Sequence, residues 1–345
     1  MRDTQLDNYR ALMMIHVIFC HVMYWLMDGC EPFQSFALFA MAGAFFIAGA
    51  SVSVRNSRRG LWETVLNRFE RVVLPFYIYA TVIIVFSVVA MALAGDNVWI
   101  GFERFVISEY GWKDIVNILL CQDVPGAPFS AHIWFLQPYL ILSCTFPLQV
   151  KQMERTSRHI YFVGCLLLFL ALQAVTRQEL LREVACYNVF MVAGFLYYRR
   201  LSAVSRIAVG ACAAAAIVAY VVMGGHFCPM QGHKFPPDWV FTAYGIFALC
   251  AVSMFLGQFK IPSNRFLGIW NTRGFNIYLY QSVVFVFVAT ISSRLKAHVA
   301  ITALWLVVDC VFAVLLATVL SFVTYPLEQK VMKAWRKAII IVWKG

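Results

Sequence analysis

One apolar run, "DNYRALMMIHVIFCHVMYWL" (7–26), holds an arginine and a histidine whose types and spacing suggest chemistry. Arg10 supplies a permanent cation with a planar fork of donors, and His21 an imidazole that exchanges its proton near neutral pH. An ionisable residue inside a membrane is costly to bury and is by default a functional-site candidate. On a helix turning ~100° and rising ~1.5 Å per residue, Arg10 and His21 lie ~20° off one shared face and ~16.5 Å apart along the axis. With Arg10 at one boundary of a ~30 Å hydrocarbon layer, His21 falls near the midplane. Asp7, three residues before Arg10, is spaced for a local ion pair with it. His16 lies ~240° round from Arg10 and reads as structural.

Other candidates are scattered along the chain. In "NRFERVVLPFY", Arg68 and Arg71 are neighbours on one face of an expected α-helix, and two guanidinium forks side by side make a phosphate clamp. Taken singly, either arginine fits a plain excess of positive charge on the cytoplasmic side. "AHIWFLQPYL" carries His132, whose role stays open, and Trp134, an ordinary interfacial anchor. Pro138 and Pro147 are expected to kink that span. Asp238 in "HKFPPDWVF" is a helix cap or a ligand, with the cap the simpler role. Asp309, deep in "LWLVVDCVFAV", needs a buried partner.

The elements that must position these residues follow from composition. The chain has 345 residues, 62% hydrophobic and only 13% charged, against roughly a quarter charged in soluble domains. The expected fold is all-α: a polytopic membrane protein, one membrane-embedded domain over 1–345. Ten spans are expected near 7–27, 36–54, 72–94, 131–149, 159–175, 184–198, 204–223, 239–257, 275–292 and 300–322. With both termini cytoplasmic, 21 of the 28 Lys and Arg fall inside and 7 outside, as the positive-inside rule requires. The net charge of +11 is therefore topological and does not imply nucleic acid. The outer segment 95–130 reads as one or two interfacial helices. The basic tail 328–345 reads as an amphipathic stretch on the inner surface. The ten cysteines show no CxxC pair and no metal spacing. Only Cys30, Cys121 and Cys228 fall in expected outer segments where a disulfide is conceivable.

Taken together, the stretches resemble the acyltransferase-3 family of bacterial multispan membrane acyltransferases. The resemblance rests on Arg10-ALMMIHVIFC-His21 in the first span and Arg68-Phe-Glu-Arg71 at the third. It rests also on "FFIAGAS", "HIWFLQPYL", "KFPPDWVF", "NIYLYQ" and "YPLEQ", in family order along nearly the whole chain. One departure is Gln281 in "YLYQ", where many members carry histidine.

The resemblance implies transfer of an acyl group, most often acetyl, from cytosolic acyl-CoA to a hydroxyl of a carbohydrate or glycan-like acceptor. Some relatives attach succinyl groups. The implied setting is the bacterial cytoplasmic (inner) membrane, with acyl-CoA a substrate and no permanently bound cofactor. His21 is then expected as general base and Arg10 as the group that orients the thioester end or stabilises local negative charge. Arg68 and Arg71 are expected to hold the CoA phosphates. A transporter or flippase of a glycan or lipid-linked sugar is the competing class, since a midplane histidine and Asp309 suit it too. A sensor or scaffold is a third, weaker reading, since a scaffold needs no buried base.

Overall fold

Apolar runs become helices in a membrane because the bilayer core offers the backbone no other hydrogen-bonding partner. The computed structural model describes residues 3–27, 30–55, 60–95, 98–100, 103–105, 111–122, 124, 130, 132–296 and 302–344. Ten stretches of it are long and apolar enough to span a bilayer: 4–26, 31–55, 61–93, 133–155, 158–175, 179–197, 203–222, 239–256, 265–292 and 304–337. Spans three and nine begin about three turns before the apolar runs do, and span ten ends well after. Their flanks "LWETVLNRFER", "RFLGIWNTRG" and "KVMKAWRK" are helical but not apolar, so hydropathy finds only the portion matched to hydrocarbon.

The polypeptide divides into two compact units. The first comprises 1–24, 28–61 and 141–271. It holds most of α1 (Thr4–Leu26), then α2 (Glu31–Ala37) and α3 (Ala40–Arg55). The second comprises 25–27, 62–140 and 272–345. It holds most of α4 (Leu61–Arg68), a π-helical stretch (Phe69–Val73), α5 (Leu74–Ala94), a pair of short antiparallel strands and α6 (Trp112–Leu119). The chain returns to the first unit along α7 (Leu136–Arg155), which follows a 3-10 turn (Ile133–Phe135). There follow α8 (Arg158–Val175), α9 (Glu179–Tyr197), α10 (Ala203–Val222), α11 (Met230–Lys234) and α12 (Trp239–Leu256). Along α13 (Arg265–Lys296) it passes to the second unit, which ends with α14 (Thr302–Lys344). α14 runs unbroken through the basic tail, with Pro326 inside it.

The core of the first unit is the α3–α9 seam. A Cβ on Gly49 would stand 1.8 Å from the Met191 carbonyl oxygen, and one on Gly194 1.9 Å from that of Phe46. The two backbones touch because neither position carries a side chain, the small-residue packing expected where lipid gives no hydrophobic drive. Tyr187 stacks on Phe45 with centroids 4.6 Å apart beside this seam.

The first turns of α1 are fastened at several points. Asp3 caps them, accepting from the Gln5 and Leu6 amides, and pairs with Arg199 at 3.0 Å. Gln5 exchanges hydrogen bonds with both backbone groups of Ile261, and Asn8 donates to the Ile261 carbonyl and to Ser263.

The segment 95–130 holds one helix, within the one or two expected, and an unexpected strand pair. Val98–Ile100 pairs antiparallel with Glu103–Phe105, and only Trp112–Leu119 is helical among its described residues. Val98, Ile100 and the aromatics at 99 and 105 favour a pleated strand. All ten cysteines are free thiols, so Cys30, Cys121 and Cys228 form no disulfide. Burial pushes the Cys121 thiol pKa up to about 12.

Candidate functional site

In the first unit, α1 is unbroken from Thr4 to Leu26, so the shared face of Arg10 and His21 follows from helical geometry. His21 is half-buried. Asp7 and Arg10 form the ion pair their spacing permits, at 2.9 Å. The same guanidinium donates to Ser51 Oγ at 2.7 Å. Ser51 is free to accept because its own proton goes to the Ile47 carbonyl one turn back on α3. Arg10 is thus held by a carboxylate from its own helix and a hydroxyl from a neighbour.

His16 is engaged elsewhere. Its Nε2 lies 2.8 Å from the Ala37 carbonyl, which can only accept, so that nitrogen carries the proton. The ring stacks with Phe39 at 4.6 Å and Phe19 at 6.1 Å. The Cys20 thiol donates to the same carbonyl.

In the second unit, Arg68 ends α4 and Arg71 lies inside the π stretch. This corrects the expectation that the two are neighbours on one α-helical face. With i→i+5 bonds a turn holds more residues, so three steps cover a smaller angle. The two arginines also differ in setting. Arg68 is half-buried, donates to the Tyr139 hydroxyl at 3.1 Å and lies 5.5 Å from that ring's centroid. Arg71 is exposed. Neither has a carboxylate partner among the described residues. Glu70 between them pairs instead with Arg336 of α14 at 3.2 Å.

His132 is almost fully buried at 1% exposure. Its Nε2 donates to the Leu279 carbonyl at 3.0 Å, and the Tyr278 hydroxyl donates to the His132 carbonyl. Phe135 meets the Tyr278 ring edge-on at 4.8 Å. "HIWFLQPYL" and "NIYLYQ" therefore pack together as one aromatic cluster. Trp134 stands half-buried beside Phe135. Gln281 is fully buried. Asp309 is completely buried and accepts a hydrogen bond from Ser292, the kind of partner its depth demands.

A family model described as an acyltransferase domain matches residues 3–326. The chain belongs to the acyltransferase-3 family. No curated protein and no solved structure matches it.

The acyltransferase also places charged residues that spacing did not single out. Glu183 and Lys234 are both 6% exposed. Burial lowers the Lys234 pKa to about 8, against the opposing pull of Cys20 and Glu183. Asp238 is the N-cap of α12, accepting from the Phe241 amide at 3.0 Å, and it also pairs with His233 at 2.6 Å. His233 Nε2 donates to the His226 carbonyl at 2.7 Å. With one nitrogen on a carbonyl and the other on a carboxylate, the imidazole satisfies both only as a cation. Burial alone would lower its pKa, but the bonds to Asp238 and His226 together outweigh it and the pKa is raised. Nothing in the sequence marked Lys234 beyond a lysine set among apolar neighbours, and nothing tied Ser51 to an arginine 41 residues away.

Proposed function

We propose that this multi-pass membrane acyltransferase moves an acyl group, acetyl in the first place, from cytosolic acyl-CoA to a hydroxyl of a carbohydrate or glycan-like acceptor. Its setting on this reading is the bacterial cytoplasmic membrane, with both termini inside. The observation that carries the donor assignment is the different pairing of the arginines. Arg10 is compensated by Asp7, while Arg68 and Arg71 have no carboxylate among the described residues. Uncompensated guanidinium groups suit phosphate, which they bind with charge-assisted hydrogen bonds.

His21 is the general base. It takes the proton of the acceptor hydroxyl as that oxygen attacks the thioester carbonyl. The tetrahedral intermediate collapses, the C–S bond breaks, and the proton on His21 passes to the departing thiolate. The products are the acyl ester and CoA-SH. No covalent acyl-enzyme is needed, since the acceptor itself is the nucleophile. At ~16.5 Å along the axis, Arg10 does not touch the carbonyl on which His21 acts. It orients a more distant part of the donor, from the position that Asp7 and Ser51 give it.

The test is release of free thiol from acetyl-CoA together with acceptor acylation read by mass spectrometry. His21→Ala is expected to lower transfer by about 10²–10⁴-fold while leaving expression and membrane insertion intact. Activity within a few-fold of wild type removes the base assignment. Glycan movement without thiol release points to a transporter instead.

A further inference from the structure

Between 328 and 337, α14 carries positive charge on one side and packing on the other. Lys330, Lys333, Arg336 and Lys337 are all exposed and fall within an arc of ~120° on an α-helix. No acidic residue follows Glu328 in the chain. On the opposite side Glu328 and Met332 are buried. Glu328 accepts from Asn276 at 2.8 Å, and the Trp335 ring lies 6.0 Å from Phe69 of the π stretch. Arg336 stands at the edge between the two sides and reaches Glu70 at 3.2 Å.

Two consequences follow. The ion pair neutralises the one acidic side chain between Arg68 and Arg71, so the charge of those arginines is not offset by Glu70. It also sets the cationic arc of α14 beside the π stretch that carries Arg71. Trp335 keeps an exposed edge but its ring faces Phe69, and Arg336 meets Glu70, so α14 touches the π stretch at 335–336.

We propose that Lys333 and Lys337 complete, with Arg71, an anion-binding surface for the nucleotide end of the acyl donor, its phosphomonoester and pyrophosphate, with the Arg336–Glu70 pair holding α14 in place beside it. The proposal rests on the acyl-CoA reading above and adds to it the residues that recognise the nucleotide.

The test compares two donors with the same thioester, acetyl-CoA and S-acetyl-pantetheine, which lacks the nucleotide. The variant is the double substitution Lys333→Glu with Lys337→Glu, at exposed helical positions. The expected result is a rise of at least tenfold in KM for acetyl-CoA, with KM for S-acetyl-pantetheine moving less than twofold. The salt dependence of the acetyl-CoA KM should weaken at the same time. Equal shifts for both donors, or none, overturn the proposal. An effect seen only in vesicles containing anionic lipid, and absent in neutral detergent, assigns the surface to lipid and overturns it too. Direct titration with CoA separates the two levels of the argument. If the wild type does not bind CoA, the donor reading fails along with this proposal. If the wild type binds and the double variant binds equally well, only this proposal fails.

Discussion

Arg10 in the first unit and Arg68 in the second are held in opposite ways. Arg10 is pinned by a carboxylate and a hydroxyl. Arg68 leans on the ring and hydroxyl of Tyr139, a partner that orients a cation without cancelling it. The first arrangement fixes a side chain in place, and the second keeps its charge available. Residue type alone does not reveal this difference, because both are arginines near the ends of apolar spans.

The comparison breaks most completely if the frame around Arg10 is removed. Gly194→Leu puts a side chain where even a Cβ meets the Phe46 carbonyl. The backbone cannot yield as a flexible side chain would, so the cost reaches or exceeds the ~1–3 kcal/mol of ordinary overpacking. Loss of most monodisperse protein in detergent is expected, measured by size-exclusion chromatography. Next in size is Arg10→Lys, which keeps the charge and loses the fork that spans Asp7 and Ser51. Hydrogen bonds to charged groups contribute ~1.5–3 kcal/mol, so transfer should fall by tenfold or more, with Ser51→Ala producing a smaller loss in the same direction. Tyr139→Phe keeps the ring beneath Arg68 and deletes the hydroxyl. A rise of a few-fold in KM for acyl-CoA with kcat unchanged is the expected outcome, and a kcat effect would mean that Arg68 is pinned as Arg10 is.

The smallest effect concerns His233, a third cation, held between Asp238 and the His226 carbonyl. Its pKa is raised above the ordinary value of 6.5, so its stabilising contribution is complete below ~6.5 and disappears as pH rises through the raised value. Hydrogen exchange across 224–238 should therefore quicken over that window, and Asp238→Asn should flatten the dependence.

The features of this molecule legible in its sequence are those governed by one length or one period. Hydrocarbon thickness sets the ten spans, and the helical repeat pairs Asp7 with Arg10 and separates His16 from Arg10. The cap at Asp238 is legible too, because the prolines before it end one element and a helix begins after it. The π stretch at Phe69–Val73 is not legible, since no residue pattern announces i→i+5 bonding, and it changes the angle between Arg68 and Arg71 from that of an α-helix. Glu70 and Arg336 lie 266 residues apart, and only the folded chain introduces them. The strand pair Val98–Ile100 with Glu103–Phe105 escapes a sequence reading because a short apolar run carries helical and strand periods equally well.

The glycine contact between α3 and α9 also limits how the first unit can move. Helices separated by side chains can slide past one another as rotamers change. Here Gly49 and Gly194 bring bare peptide groups together, and there is no rotamer left to change. α3 and α9 must therefore travel as a single body in any opening motion. Ser51 follows Gly49 by half a turn and goes with them, so any stroke of this pair of helices is delivered directly to the guanidinium of Arg10.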